Sequence, residues 1–262
     1  MVQAAIMQRG LARSAIPGRR SPTRPETAAL VSRALPFILS LIAGSTDIIG
    51  FLGLNGLFTA HVTGNIVIIL AHIIAGEPTM LSAILAVPVF MMVVFLVRLL
   101  AGRIERARLP ILAPLLLVQL LSLVFCLAVS AAAGPWADAD SVLAIIAGML
   151  GVTAMAVQNA LVHIALRDTP ATAVMTTNVA HFMVDIGEIL VGRNSAEGAN
   201  AGRRAARTLP VLLGFVAGCG LGAALEAVTG LWSLALPVGL ALVAFGIGLV
   251  QEGRPLAGRP GR

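Results

Sequence analysis

Eight long apolar stretches take up most of the chain beyond residue 34. They cover 35–57, 60–76, 80–101, 110–133, 141–165, 171–192, 208–228 and 231–251. A helix of about 20 predominantly apolar residues crosses a hydrocarbon layer about 30 Å thick, and most of these stretches reach that length. Because lipid offers no hydrogen-bond partners to backbone amides, the segments that cross must be helical. The pattern therefore predicts an all-α integral membrane protein with a single polytopic membrane domain at 34–252.

The composition agrees with this prediction and excludes several classes of protein. Of the 262 residues, 58% are hydrophobic and 11% are charged, whereas an ordinary soluble domain carries about 25% charged residues. A soluble cytoplasmic enzyme, a secreted disulfide scaffold and a disordered regulator are thereby excluded. The formal net charge is +6, but the arginines lie at the chain ends and between apolar stretches. We therefore expect them to set membrane orientation and expect no nucleic-acid partner.

Arginine clusters mark four segments as cytoplasmic by the positive-inside rule. They are the disordered N-terminal tail predicted at 1–33, the loop at 102–109, the loop at 193–207 and the C-terminal tail at 253–262. The loops without arginine are predicted to lie outside, and the two tryptophans beside them would form an outer aromatic belt. The residues that mark these outer loops are Glu77, Asp138, Asp140, Glu226, Trp136 and Trp232.

Eight crossings conflict with these charges, because they place the loop at 102–109 outside when the N-terminal tail is inside. Six net crossings satisfy them. Six net crossings result if the first and second stretches together make one crossing, and the fifth and sixth together make another. Each of these pairs would be a broken helix, or a full span followed by a re-entrant segment.

The two unusual pairs also resemble each other in sequence. The segment TAHVTGN at 59–65 aligns with TAVMTTN at 172–178, 113 residues later, with four identical positions. Asp47 lies twelve residues before the first segment and Asn159 thirteen before the second. Two apolar helices follow each segment. We therefore predict two related halves, about 35–133 and 141–251, which are inverted if each makes three crossings. Inverted repeats with discontinuous helices are typical of transporters that hold solute between the repeats.

The run GSTDIIGFLGLNGLFTAHVTGNIVIIL at 44–70 resembles the signature of the YoaK-type bacterial membrane proteins, a family of unknown function. In the second half, Gln158 and Asn159 resemble the QN element of that family, and the segment at 176–178 resembles its TTxxTG element. The second segment departs from the pattern because it ends TTNVAH, without the TG pair. The resemblance covers nearly the whole apolar region. The resemblance implies a polytopic inner-membrane protein, but it does not indicate a substrate.

Asp47 is the most unusual residue of the first pair of stretches. A charged side chain at the bilayer centre costs about 2.5 to 3.5 kcal/mol on insertion scales. Asp47 either carries a proton or cation along a translocation path, or is a structural acid that caps a helix restarting near Ile48 or bonds the neighbouring Thr and Asn groups. His61, Asn65 and His72 share one helix face by spacing. That face could line an aqueous path or hydrogen-bond a partner helix.

The sixth stretch carries His181, Asp185 and Glu188 at i, i+4 and i+7, which places them on one helix face. Such a stripe should face the bundle interior or a wet cavity, where it could relay protons. The alternative pairs Glu188 with Arg193 as interfacial charges at the cytoplasmic end. One straight helix supplies too few convergent ligands for a metal, so we predict no metal site and no cofactor.

These patterns predict an ion-coupled transporter or channel for a small solute, without catalytic residues. The chain lacks ATP-binding motifs. The alternatives are a non-catalytic membrane accessory or assembly protein and, less favoured, an intramembrane enzyme, for which the HExxH and GxSxG motifs are missing. The expected partners are the lipid bilayer, a small solute or ion, and a second copy of the chain. The candidate path residues are Asp47, His61, Thr63, Asn65, Asn159, Thr176, Asn178, His181, Asp185 and Glu188.

Overall fold

The computed structural model describes residues 24–135, 138, 141–192 and 196–252, with side chains from residue 34 onward. Every regular element in these ranges is helical. The helices are α1 Arg24–Gly53, α2 Val62–Ala75, α3 Leu81–Arg106, α4 Leu112–Ala133, α5 Val142–Ala165, α6 Met175–Val191, α7 Ala196–Thr229 and α8 Ala235–Glu252, with a 3-10 turn at Gly230–Leu234. Each of the eight apolar stretches corresponds to one helix, so the all-α fold class is confirmed.

Five helical segments are long and apolar enough to cross a membrane. They are Ala34–Gly53, Leu81–Arg106, Leu112–Ala133, Val142–Ala165 and the continuous segment Ala196–Glu252, which contains both α7 and α8. Helix α2 has 14 residues and α6 has 17, fewer than the 20 or so that one crossing takes. The chain is therefore a membrane protein by the length and composition of its helices, and α2 and α6 are too short to cross alone.

The boundaries differ most from the sequence prediction at the starts of α7 and α1. Helix α7 begins at Ala196, so residues 196–207 of the predicted loop at 193–207 are helical. Helix α1 begins at Arg24, so the backbone of residues 24–33 is helical, although the sequence assigns that segment to the tail. Several predictions concern residues outside the described ranges. These are the tails at 1–23 and 253–262, the belt position of Trp136, the outer-loop position of Asp140 and the pairing of Glu188 with Arg193.

Most of the helices each pack against two or three neighbours. Helix α1 contacts α7 and α8, and α5 contacts α3 and α4. Helices α4 and α8 also contact each other, while α2 packs mainly against α3 and α6 mainly against α7. The core between α1, α4, α5 and α8 is mostly apolar, and Leu39, Leu116 and Leu161 are buried there. The long helices thus form a central bundle, and the two short helices lie at its edges.

Glycines bring α1 and α7 into backbone contact. On α7, Gly214, Gly218 and Gly222 recur every four residues and are buried. A Cβ on Gly218 would lie 2.4 Å from the carbonyl oxygen of Leu41, and one on Gly44 would lie 2.3 Å from a carbonyl oxygen of α7. Small residues at this spacing let membrane helices approach closely. No side chain larger than hydrogen fits between the two helices at these points.

Candidate functional site

The segment between α1 and α2, residues 54–61, forms the first bend and is held by Asp47. Oδ1 of Asp47 accepts hydrogen bonds from the backbone N–H groups of Thr59 at 2.8 Å and Ala60 at 2.7 Å. Its Oδ2 lies 2.6 Å from Nδ1 of His61. Asp47 lies within α1, six residues before the helix ends, so the chain after α1 turns back along the helix before α2 begins. The first bend is therefore re-entrant relative to α1.

Asn65 closes the first bend from the side of α2. Its amide oxygen accepts from the N–H of Phe58 at 2.9 Å, and its amide nitrogen donates to the carbonyl of Phe58 at 2.8 Å. The ring of Phe58 packs against Gly64, where an added Cβ would lie 2.9 Å from the ring. Asp47 and Asn65 together satisfy backbone groups that lipid would leave unpaired.

The segment between α5 and α6, residues 166–174, forms the second bend and is held by Gln158. The amide nitrogen of Gln158 donates to the hydroxyl of Thr172 at 2.9 Å and to the carbonyl of Leu39 on α1 at 2.8 Å. Its amide oxygen accepts from Gln119 of α4 at 2.7 Å. Gln158 is fully buried. It therefore joins the second bend to two other helices.

Asn159, the polar residue thirteen positions before the second segment, makes a different contact from Asp47. Its side chain donates to the carbonyl of Met155 within its own helix at 2.9 Å. The residue that contacts the second bend is its neighbour Gln158, because the side chain of Asn159 leaves α5 on another face. Gln158 lies fourteen residues before Thr172, whereas Asp47 lies twelve before Thr59, so the two residues that hold the bends are two positions away from the 113-residue offset.

Asn178 binds the second bend in the same way as Asn65 binds the first. Its amide nitrogen donates to the carbonyl of Ala171 at 2.6 Å. Both asparagines thus bond a carbonyl seven residues earlier, and the two pairs are separated by the same 113 positions as the aligned segments. The aligned side chains differ, however, because Ala171 and Thr177 in the second half replace Phe58 and Gly64 in the first. The ring that covers the first bend has no counterpart at the second.

A cleft of about 580 Å³ opens at the second bend, between the bend, α6 and α7. Its lining is largely polar or charged and includes Arg167, Asp168, Thr177, Asn178, His181, Asp185, Glu188, Arg204, Arg207 and Thr208. The volume falls within the range of about 300 to 1,000 Å³ that small-molecule sites occupy. Ala171 and Thr177 both line the cleft. The position that the Phe58 ring fills in the first half is thus open in the second.

Arg204 of α7 binds both carboxylates of the α6 stripe. Its Nε donates to Oδ1 of Asp185 at 2.8 Å, and a terminal nitrogen lies 2.6 Å from an oxygen of Glu188. Asp185 is 4% exposed. Arg204 and Glu188 also line a second cleft of about 660 Å³ toward the end of α6. The ion pair therefore lies between two adjoining clefts and ties α6 to α7.

The predicted path residues fall into separate groups. His181, Asp185, Glu188 and Asn178 line the cleft together, while Asp47, His61 and Asn65 lie at the first bend and line neither of the two large clefts. Asp47 makes the contacts of a structural acid that bonds neighbouring groups, but it caps no helix restarting at Ile48, because α1 is continuous to Gly53. Thr63 and Thr176 are exposed, and Asn159 bonds its own helix. Sequence reasoning missed Arg204 as the partner of the stripe, although its place in a cluster of arginines was visible.

An apolar helical bundle with re-entrant bends defines this chain as a polytopic membrane protein. Residues 35–247 match the family described as "Protein of unknown function (DUF1275)". The chain belongs to this family, since the match covers most of its length and nearly all of the bundle. No curated protein and no solved structure matches the chain. The finer resemblance to YoaK-type proteins stays a prediction.

Proposed function

We propose that this protein is an ion-coupled transporter or channel for a small solute, and that the solute binds in the cleft at the second bend. The observation that carries the proposal is the cleft itself, a space of about 580 Å³ at the edge of an apolar bundle, with charged and polar side chains in its lining. Charged residues in membrane proteins are costly and mark substrate and ion pathways. His181, Asp185 and Glu188 supply titratable groups through which a proton could be coupled to solute.

The packing of the helices supports an inverted repeat. If α1 to α4 are exchanged with α5 to α8, the contact of α1 with α7 becomes that of α5 with α3, and the contact of α1 with α8 becomes that of α5 with α4. The contact of α2 with α3 likewise becomes that of α6 with α7, and α4 with α8 maps onto itself. Asn65 and Asn178 make equivalent bonds to the two bends. This agreement favours six net crossings, three in each half.

The arginines favour an opening of the cleft toward the cytoplasm of the bacterial inner membrane. Arg167, Arg204 and Arg207 line the cleft, and arginine-rich segments remain on the cytoplasmic side. In this proposal both termini are also cytoplasmic. The first bend would face the outer side, where the Phe58 ring covers the corresponding space. Solute would then have access from the cytoplasm in the state that the structure represents.

Reconstituted vesicles test the transport proposal. We expect uptake of at least one member of a broad solute panel, driven by a proton or sodium gradient. Ala171→Phe should abolish this uptake, because it places at the second bend the ring that covers the first. Val179→Phe adds the same ring to an exposed position of α6 outside the cleft lining, and it should retain uptake. Absence of uptake across the panel, or equal loss in both variants, would overturn the proposal.

Labelling of introduced cysteines with an impermeant reagent tests the crossing count. Glu77→Cys should label from the outside of intact cells, whereas Glu105→Cys and Glu197→Cys should label only after permeabilisation. The native cysteines Cys126 and Cys219 lie within α4 and α7 and would be replaced by alanine as background. Outside labelling at position 105 or 197 would contradict three crossings per half.

A non-catalytic accessory or assembly role is the second candidate. The observation that favours it is that Asp47, Asn65 and Gln158 all bond the chain's own backbone or side chains. In that case the polar residues hold the bends and take no part in transport. The vesicle experiment separates the two candidates, because an accessory protein on its own moves no solute.

A further inference from the structure

We infer that the cleft at the second bend binds a zwitterionic group, with Arg207 holding its anionic end and the carboxylates of α6 holding its cationic end. This inference rests on the proposed function and names the chemistry of the solute. It follows from the distribution of charge along the cleft wall. The ligand would be a small molecule, or a lipid headgroup, that carries a carboxylate or phosphate together with an amine.

The α6 side of the cleft carries an excess of one negative charge. Arg204 is shared between Asp185 and Glu188, with contacts of 2.6 Å to each. Two carboxylates against one guanidinium leave one negative charge uncompensated. His181 lies on the same wall, one turn from Asp185. An ammonium group at this wall would therefore be attracted by Coulomb interaction with the uncompensated carboxylate.

The second bend and the next turn of α7 carry the matching positive excess. Arg207 lies on α7, about one turn beyond Arg204, and makes no hydrogen bond or ion pair within the part of the chain that the structure describes. Arg167 of the bend makes only a long 3.4 Å contact to a backbone carbonyl. Asp168 is the only carboxylate in this part of the lining. Two guanidinium groups against one carboxylate leave one positive charge for an anionic group.

The net charge of the cleft lining and its distribution indicate which class of ligand the cleft favours. Among the residues that the structure describes, three arginines and three carboxylates line the cleft, so this part of the lining is formally neutral and does not favour an ion of either sign. The charges are nevertheless separated, with the negative excess on α6 and the positive excess on the bend and α7. A ligand with both charges gains at both ends, whereas a simple anion or cation gains at one end and is repelled at the other. Charge-assisted hydrogen bonds from guanidinium to carboxylate or phosphate are also among the strongest available.

Thermal unfolding of the purified full chain in detergent tests the inference with probes of matched size. The probes are 4-aminobutyrate and phosphoethanolamine as zwitterions, butyrate as the anion and butylamine as the cation, all at equal ionic strength. We expect a dose-dependent rise of the unfolding temperature with at least one zwitterion, because a ligand that binds only the folded state stabilises it. Butyrate and butylamine should bind at least about tenfold more weakly, since each lacks one charged contact.

Two variants assign the binding to the cleft. Arg207→Gln should weaken zwitterion binding about tenfold or more by removing the charged contact at the anionic end. Arg203→Gln removes the same charge four residues earlier on α7. The Arg203 side chain is exposed, bonds Asn200 and is not part of the cleft lining, so this variant should bind like the wild type. Ala171→Phe serves as a second variant that blocks the cleft without changing its charge.

The source of the zwitterion is distinguished in lipid nanodiscs. If phosphatidylethanolamine protects the chain and soluble zwitterions do not, and Arg207→Gln removes the protection, the ligand is a headgroup. If soluble zwitterions act in nanodiscs of phosphatidylglycerol alone, the ligand is a free solute. The inference is overturned if neither source binds, if the single-charge analogues bind as tightly, or if the two arginine variants lose binding equally. Binding without uptake in vesicles would refute only transport, and uptake restricted to simple ions would refute only the zwitterion.

Discussion

Replacement of Asp47 by alanine should destabilise the first bend and with it the fold. The carboxylate accepts two backbone N–H groups at 2.8 and 2.7 Å and contacts the His61 ring, and Asp47 is 4% exposed. Hydrogen bonds to charged groups contribute about 1.5 to 3 kcal/mol each, so the two amides alone account for about 3 to 6 kcal/mol. Alanine would leave both amides buried without an acceptor, and water cannot replace it inside the bundle.

The loss is measured by thermal unfolding in detergent and by the yield of monodisperse protein. For a chain of this size, 1 kcal/mol lowers the midpoint by about 2 to 4 °C, so we expect a decrease of about 6 to 24 °C for Asp47→Ala. Asp47→Asn keeps one acceptor oxygen and should show a smaller decrease. Asn159→Ala is the matched control, because that side chain bonds only a carbonyl of its own helix, and it should unfold close to the wild type.

Two results of these unfolding measurements would contradict the structural role of Asp47. If Asp47→Ala unfolds within about 2 °C of the wild type, roughly the effect of 1 kcal/mol or less, and has lost only solute uptake, the carboxylate acts as an ion carrier and does not hold the bend. A midpoint that falls equally in Asn159→Ala would show a general intolerance of polar-to-alanine changes. Either result would refute the structural role assigned to Asp47.

Three further predictions concern the other contacts of the bundle. Gln158→Leu removes bonds to the second bend and to α1, so it should accelerate hydrogen exchange at 166–174; unchanged exchange there would contradict its role. Gly218→Ala forces a Cβ against a backbone carbonyl and should cost about 1 to 3 kcal/mol, whereas Gly220→Ala, which meets nothing within 4 Å, should be neutral or stabilising in unfolding assays. Glu252→Gln weakens the acceptor of the first two amides of α4, where negative charge is favourable, and faster exchange confined to the start of α4 would be the expected readout.

The helices could be predicted from the sequence to within a few residues at most of their ends, because apolar length alone identifies helices in a bilayer. The bend motifs were also visible, since Thr59 and Thr172 lie in segments with matching residues. Of the two residues that hold the bends, only one could be identified from the sequence. Asp47 could be identified because a charged residue in an apolar stretch is unusual. Gln158 could not, because its side chain is neutral and because helix packing determines which face of α5 it occupies.

Contacts between helices were not accessible from the sequence. The stripe of α6 was predicted to face a wet cavity, and His181 and Asp185 do line a cleft. Their partner Arg204 depends on the register between α6 and α7, which no local pattern determines. The close approach of α7 to α1 likewise depends on Gly214 and Gly218 meeting carbonyl oxygens of α1, an arrangement that appears only once the two helices are placed together.

The unequal attachment of the helices determines which parts of the molecule can move. Helices α1 and α7 touch through their backbones and should behave as one rigid body, since any sliding would drive carbonyl oxygens into neighbouring atoms. The short helices α2 and α6 each rest mainly on a single neighbour, and α6 is tied to α7 by the Arg204 ion pair. Helix α2 meets its neighbour less extensively than α6 does, so a swing of α2 about the first bend is the motion that this architecture permits most easily.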